Sequence, residues 1–451
     1  MFNPIGSYYV PIGQFFLTGF PGVCLSGNQK LNKMTTDTIQ KTERQYYIDW
    51  LRILLIISVF LFHIGMIFNT WEWHIKNDQL FGGMLKSTMT FLHYWRMPLL
   101  FLLSGAGTYF ALGKRTSGQY LGERFKRLFI PLVVGIFTLV PVQVFIEKIS
   151  QYGTIWNFYR HMFEGIYPAG NFSWHHLWFI VYLFFIALII SPFLKILRSN
   201  NFARFTKWIE GIVTKPLALN IFMIPLLLSQ VLLRPYFELE THDLVKDWAS
   251  ISSYIIFFIA GFILLPNKNI TEAIRSQRYL YLAEAVAMTI MMFKLPFMAG
   301  SESAGDTMWE VLSIFVAWTC GITALGFAKH YLNRDSKFRK LANEAIYPFY
   351  LLHQPVIVVV GYFIIQWDIS VLMKVLLITS ASLGVTIAIY WLLIRPVNIM
   401  RVVFGMKRLR KENMVEDTSL LLKPFFAEIS RPLSVLKQRV LNAELPFVQK
   451  K

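Results

Sequence analysis

Two ionisable side chains, Arg52 and His63, stand eleven residues apart within an apolar stretch of the chain. On an α-helix, eleven residues are three turns plus about 20°, so both side chains lie on one face, roughly 16 Å apart. That distance is about half of a hydrocarbon core, so the helix would hold a cation near one membrane surface and an imidazole deeper inside. An imidazole titrates near neutral pH and can act as a general base, although a lone intramembrane histidine can also be a helix-packing group. Because ionisable groups inside a span are costly and usually functional, this pair is the first candidate site.

The composition indicates a polytopic membrane protein. Of the 451 residues, 55% are hydrophobic and only 16% are charged. A formal net charge of +18 would suggest a nucleic-acid partner in a soluble protein. Here the cations lie between apolar runs, so membrane topology explains them and no nucleic-acid partner is predicted. Cys24 and Cys320 are far apart and match no metal or redox spacing.

The apolar runs predict an all-α fold with about ten transmembrane helices. They cover 50–69, 88–112, 128–146, 176–194, 216–233, 249–266, 279–297, 309–328, 343–365 and 371–394. Of the 44 Lys and Arg residues, 34 fall in the segments on the side that holds both termini and six in the loops on the other side. The positive-inside rule therefore predicts that both termini are cytosolic.

Three parts of the chain are predicted. Residues 1–45 form an N-terminal cytosolic extension, part of which lies upstream of a second candidate start at Met34. Residues 46–395 form the membrane domain. Residues 396–451 form a basic cytosolic tail to which no chemistry is assigned.

Further polar groups interrupt the apolar runs. His93 and Arg96 open the second run, and Arg124 and Arg127 precede the third on the cytosolic side. Two more histidines, His176 and His353, fall in the fourth and ninth runs. The arginine cluster suits phosphate groups, but positive-inside bias or anionic lipid would also explain it. No local cluster of His, Cys and carboxylate ligands is present in the sequence, so no metal site is predicted.

At these residues the chain resembles the membrane-bound acyltransferase family 3, most of all its glucan biosynthesis protein C branch. The family has an arginine and a histidine separated by ten residues in its first span, which Arg52 and His63 match. The other matching stretches, which follow in family order over about residues 45–395, are 46–49, 62–63 with 70–71, 93–98 with 104–105, 124–128 with 130–131, 176–179 and 350–355. The chain departs from the family at two places: Gln354 stands where some relatives have a histidine, and Ser104-Gly105-Ala106 replaces the bulkier Ser-Gly-Phe of many.

The resemblance implies an acyltransferase (EC 2.3.1 type) that moves an acyl group from a cytosolic acyl-coenzyme A to a hydroxyl of a glycan outside the membrane. His63 would be the general base or would carry the acyl group itself. Arg52, Arg124 and Arg127 would bind the phosphates of the coenzyme. The supporting or oxyanion-stabilising candidates are Asp49, His93, Arg96, His176 and His353, with Asp49 pairing with Arg52.

The branch implies succinyl as the acyl group and a periplasmic glucan as acceptor, while acetyl and another surface polysaccharide fit the spans equally well. Acyl-coenzyme A (succinyl-CoA or acetyl-CoA) would be a substrate, and no bound cofactor is expected. The expected location is the bacterial inner membrane, in contact with lipid, and the sequence leaves the oligomeric state open, a homo-oligomer included. The alternative is a transporter or flippase of a glycan, lipid or small anion, which would also use buried histidine and arginine.

Overall fold

The computed structural model describes residues 44–112, 115–237, 241–295 and 302–409. Over these ranges the chain is helical, and it contains no β-strand there, only two isolated bridge pairs. The all-α prediction is therefore confirmed. Nearly all of the predicted N-terminal extension, and the tail beyond residue 409, lie outside the described residues.

Two short helices, Ile149–Tyr152 and Ile155–Arg160, lie in the long connection at residues 148–174, and Ile196–Arg198 forms a 3₁₀ turn. The other described helices follow one another along the chain. In chain order they are α1 (Tyr46–Phe68), α2 (Gly83–Leu112), α3 (Ser117–Glu147), α4 (His175–Leu194), α5 (Asn200–Val213), α6 (Ala218–Tyr236), α7 (Trp248–Leu264), α8 (Lys268–Ser276), α9 (Arg278–Lys294), α10 (Glu302–Tyr331), α11 (Lys337–Ile364), α12 (Val371–Ile394) and α13 (Asn398–Val403). A π-helical turn at Phe125–Phe129 and a break at Leu139 interrupt α3.

By length and hydropathy, fewer of the described helices qualify as membrane spans than the ten predicted. Among the described residues seven helices are long and apolar enough to cross a membrane, and an eighth is α7 with α8 if that pair, bent by 106°, forms one broken span. The predicted runs 88–112 and 279–297 do form helices, α2 and α9. However, α2 carries the polar His93 and Arg96, and α9 has only 17 residues. The chain is a multi-pass membrane protein.

Close contact between α2 and α7 holds the centre of the fold together. A β-carbon added at Gly105 would lie 1.9 Å from the carbonyl oxygen of Phe258, and one added at Gly261 would lie 1.8 Å from that of Leu102. Only glycine permits backbones to approach so closely, as in other membrane helix pairs. The neighbouring run Leu99–Leu103 is buried in the same core.

The α1 helix presents two distinct faces. Leu54, Ile57 and Leu61, spaced by three and four residues, are 40 to 51% exposed and form one apolar stripe. Such a stripe suits contact with lipid, because the hydrocarbon core of a membrane is as apolar as these side chains. The opposite face packs against α2 and α11 and directs His63 into the protein.

Candidate active site

Two histidines from distant helices meet where α1 packs against α11. The Nδ1 atom of His63 lies 2.9 Å from Nε2 of the fully buried His353. The other ring nitrogen of His353, Nδ1, lies 2.5 Å from the carbonyl oxygen of Tyr350. A carbonyl oxygen can only accept, so His353 Nδ1 donates to it. The Nε2 atom of neutral His353 therefore accepts a hydrogen bond from His63 Nδ1–H. This leaves Nε2 of His63 unprotonated, as a general base requires.

His63 faces a cavity of about 670 Å³, named the histidine cavity below. Most of its wall is aromatic or titratable. The principal lining residues are Phe62, His63, Trp71, Trp73, His74, His93, Arg96, Tyr167, Trp174, His176, Trp178, Tyr350 and Gln354. Pairs of flat aromatic side chains with polar groups between them can bind a polar ligand that also carries apolar faces.

Arg96 and His93 contribute one side of this cavity. The guanidinium carbon of Arg96 lies 3.7 Å from the centre of the Phe62 ring, and the His93 ring stacks on the same ring at 5.9 Å. Cation–π contact at this distance fixes the arginine beside the residue that precedes His63. A positive charge is thereby held next to the candidate base.

His176 is engaged within the protein through both ring nitrogens. Its Nε2 atom lies 3.1 Å from the carbonyl oxygen of Leu351, and its Nδ1 atom lies 3.3 Å from the side-chain nitrogen of Gln143. In addition, the Tyr350 hydroxyl donates to the carbonyl oxygen of His176. These bonds join α4 to α11, and they favour a supporting role for His176 over a role as oxyanion donor.

Another histidine of this cavity, His74, has no chemistry assigned to it in the prediction from the sequence. Its Nδ1 atom donates to Glu147 at 2.6 Å, and its Nε2 atom lies 3.2 Å from the amide nitrogen of Gln354. Glu147 also accepts the hydroxyl of Tyr167 at 3.2 Å. Burial and the neighbouring Glu147 raise the pKa of Tyr167, so this hydroxyl keeps the proton that it donates. Glu147 lies 73 residues from His74, so no local motif signals the pair.

The predicted phosphate-binding arginines line a different cavity of about 560 Å³, named the arginine cavity below. Its charged lining residues are Arg52, Arg115, Glu123, Arg124, Arg127, Glu344 and Lys407. Five cations thus face two carboxylates, which favours an anionic ligand. Arg124 donates to the Thr108 hydroxyl at 3.4 Å, and the π-helical turn Phe125–Phe129 follows it. Such turns are frequent at functional sites.

The two cavities share one wall residue, Tyr350, and α1 contributes to both of them. Arg52, near the start of α1, lies in the arginine cavity, and His63, toward its end, lies in the histidine cavity. His353 lines neither cavity and supports His63 from behind. Among the residues that the structure describes, no group of three or more His, Cys, Asp and Glu side chains is arranged as a metal site.

Asp49 has a stronger partner than the sequence suggested. Its carboxylate lies 3.7 Å from Arg52, as predicted, but it also accepts a hydrogen bond from Arg339, which is fully buried. Arg339 also donates to Asp335 at 2.7 Å and holds the pKa of that carboxyl below its usual range. Asp49 therefore joins α1 to the start of α11 and lines neither cavity. Sequence reasoning missed Arg339 because 290 residues separate it from Asp49.

Comparison with known proteins assigns the chain to a family. Residues 45–394 match the family model described as an acyltransferase domain, the acyltransferase 3 family. Glucans biosynthesis protein C of Salmonella paratyphi B is 20% identical over 368 residues, covering 77% of this chain and 91% of that relative. The protein of the same name from Salmonella paratyphi A has the same identity and coverage. Because the family model spans most of the chain, the protein belongs to the acyltransferase 3 family and is an acyl-transferring membrane enzyme.

Proposed function

We propose that the protein is an O-acyltransferase of the bacterial inner membrane that moves a succinyl or acetyl group from cytosolic acyl-coenzyme A to a hydroxyl of a periplasmic glucan or another surface glycan. The proposal includes ten spans with both termini in the cytosol, as the distribution of Lys and Arg predicts. One observation carries it. His63, whose Nε2 atom is unprotonated when Nδ1 donates to His353, lies in one cavity, a cluster of cations lies in another, and Tyr350 lines both.

The donor would enter from the cytosolic side. Its phosphates would bind Arg52, Arg124 and Arg127, whose guanidinium groups match phosphate oxygens in charge and geometry. Its pantetheine arm would run along α1, where Arg52 and His63 are roughly 16 Å apart along the helix axis. The thioester would then pass Tyr350 and reach the Nε2 atom of His63.

The acceptor would bind in the histidine cavity. Trp71, Trp73 and Trp178 offer flat apolar faces that suit the apolar faces of sugar rings, and the polar groups between them suit hydroxyls. The relatives named glucans biosynthesis protein C support a glucan as acceptor. Arg96, held against Phe62, would bind the free carboxylate of a succinyl group.

The chemical step would begin when His63 Nε2 removes the proton of the acceptor hydroxyl. The hydroxyl oxygen forms a bond to the thioester carbonyl carbon, and the carbon–sulfur bond then breaks. The proton held on His63 passes to the departing thiolate, so the products are the glycan ester and free coenzyme A. In the two-step alternative the same nitrogen attacks the thioester first and carries the acyl group.

A vesicle assay tests the proposal. Radiolabelled succinyl- and acetyl-coenzyme A are supplied to inverted and right-side-out vesicles that contain periplasmic glucan, with wild type, His63→Ala and the control His330→Ala, which changes an exposed histidine outside both cavities. We expect transfer only when the donor reaches the cytosolic face, full transfer by His330→Ala, and a loss of about 10²-fold or more in His63→Ala. Normal transfer by inserted His63→Ala would refute the role of His63. A lack of transfer from any donor by wild type would favour the transporter alternative.

A further inference from the structure

The chain turns back onto the arginine cavity after α12, beyond the region that the family model matches. The matched region ends at residue 394, whereas α13 and the turn after it continue to residue 409. Three residues of this segment, Gly405, Met406 and Lys407, line the arginine cavity. Residues 398–409 are named the C-terminal strap below.

Arg401 fastens the strap to itself and to α11. It is only 6% exposed, and its guanidinium donates to the carbonyl oxygens of Lys407 at 2.7 Å and Arg395 at 3.1 Å. It also donates to the Glu344 carboxylate at 3.1 Å. A buried guanidinium with three acceptors fixes the conformation of the turn between Arg401 and Lys407.

Gly405 brings the strap against α11 and against α3, the helix that carries Arg124 and Arg127. Its φ of +70° lies in the left-handed region, which side chains rarely adopt. A β-carbon at this position would also lie 2.4 Å from the Tyr347 ring and 2.8 Å from the carbonyl oxygen of Arg127. The strap backbone therefore touches the backbone of a predicted phosphate-binding residue, which only glycine allows.

Lys407 adds to the net positive charge of the arginine cavity. Both lining carboxylates already have a cationic partner, because Glu123 pairs with Arg115 at 2.9 Å and Glu344 pairs with Arg401 at 3.1 Å. Their charges are therefore largely offset. The positive charge of Lys407 adds to the field of the arginines at the cavity wall.

We propose that the C-terminal strap is a wall of the donor site, in which Lys407 binds an anionic phosphate group of the acyl donor and Arg401 positions it. The inference rests on the proposed function, since it assigns the arginine cavity to acyl-coenzyme A. It adds a donor-binding residue from outside the matched domain. Lys407 is an exposed lysine whose position depends on Gly405 and Arg401.

Equilibrium binding of labelled coenzyme A to the full-length purified protein tests this. Six proteins are compared: wild type, Lys407→Ala, Gly405→Ala, the double variant of these two, Arg124→Ala and Arg408→Ala. Arg408→Ala is the matched control, because Arg408 is an exposed neighbouring cation that does not line the cavity. We expect Lys407→Ala to weaken binding by about tenfold, as loss of one charge-assisted contact predicts. Arg408→Ala is expected to bind like wild type.

The Gly405→Ala variant separates a binding role from a purely structural one. Its added methyl group displaces the turn, so Lys407 is already moved and the double variant should bind no more weakly than Gly405→Ala alone. Equal binding by Lys407→Ala and Arg408→Ala, with weak binding by Arg124→Ala, would overturn the inference while the donor site stands. Tighter binding by Gly405→Ala would also overturn it, since the strap would then obstruct the site. No binding of coenzyme A by wild type would overturn the donor site and the inference together.

Discussion

The Nδ1 atom of His63 and the Nε2 atom of His353 lie 2.9 Å apart, although 290 residues separate them in the chain. Because the Tyr350 carbonyl can only accept, His353 Nδ1 donates to it, and His63 Nδ1 must then donate to His353 Nε2. In the proposed mechanism His353 would act on His63 as a third group acts on the base of a catalytic triad, by fixing its tautomer and orientation. Since His353 is fully buried and lines neither cavity, we assign it the role of a positioning residue in that mechanism.

Replacement of His353 by leucine should lower kcat with little change in KM for the donor. The expected loss is roughly 10²-fold, because His63 would remain present but would no longer be held in the required tautomer. His353→Gln can still offer an acceptor oxygen to His63 Nδ1 and should keep more activity than His353→Leu. Initial rates of acyl transfer at varied donor concentration would measure both constants.

The pH profile provides the control for this prediction. A protonated imidazole cannot accept a proton, so the activity of wild type should fall as the pH drops through the pKa of the base. His353→Leu should move the midpoint of that fall, since it removes the acceptor of His63 Nδ1. An unchanged midpoint together with a large loss of folded protein would show that His353 is structural only.

The glycine contact between α2 and α7 predicts a large difference between two neighbouring substitutions. Gly105→Ala places a methyl group 1.9 Å from the carbonyl oxygen of Phe258 and should lower the free energy of unfolding by about 1–3 kcal/mol. Gly107→Ala meets nothing closer than the Arg52 guanidinium at 3.6 Å, an ordinary contact, and should be tolerated. Unfolding in detergent micelles would compare them. Equal stability of the two variants would contradict the close contact.

Burial of Arg339 predicts a second effect on stability. Arg339→Met leaves Asp49 without its main partner and should cost about 3 kcal/mol of unfolding free energy, as is typical when one member of a buried ion pair is removed. Lys340→Met is the control, because its pair with Asp335 is on the surface and should contribute less than about 1 kcal/mol. The double variant Asp49→Leu with Arg339→Met should recover part of the loss. An Arg339→Met protein as stable as Lys340→Met would disprove the buried pair.

The sequence alone supports the local features of the site. Helical periodicity places Arg52 and His63 on one face, and the structure places them on α1 in two cavities. Two residues of α1 have partners that are distant in the chain: His63 contacts His353, and Asp49 contacts Arg339. Such pairs depend on how α1 packs against α11, which no spacing within a single helix specifies. The span count differs for a related reason, since His93 and Arg96 reduce the hydropathy of a helix that protein neighbours bury.

The bonds that join Glu147, His74 and Gln354 predict a role for Gln354 in binding the acceptor. Gln354 is 4% exposed and lines the histidine cavity, and its side-chain N–H donates to Nε2 of His74. Among the residues that the structure describes, its side-chain oxygen has no hydrogen-bond partner. His74 thereby keeps this oxygen available for a donor such as an acceptor hydroxyl. Gln354→Leu and His74→Leu should each raise the KM for the acceptor about tenfold and leave coenzyme A binding unchanged.

A double variant decides whether the two residues act as one unit. If His74 acts only by orienting Gln354, the acceptor KM of Gln354→Leu with His74→Leu should equal that of Gln354→Leu alone. Gln366→Leu, an exposed change in the turn just after α11, should behave like wild type. Additive effects would mean that His74 contacts the acceptor independently. A loss of coenzyme A binding in either single variant would instead mean that the histidine cavity does not serve the acceptor alone, because the thioester end of the donor would then depend on these side chains.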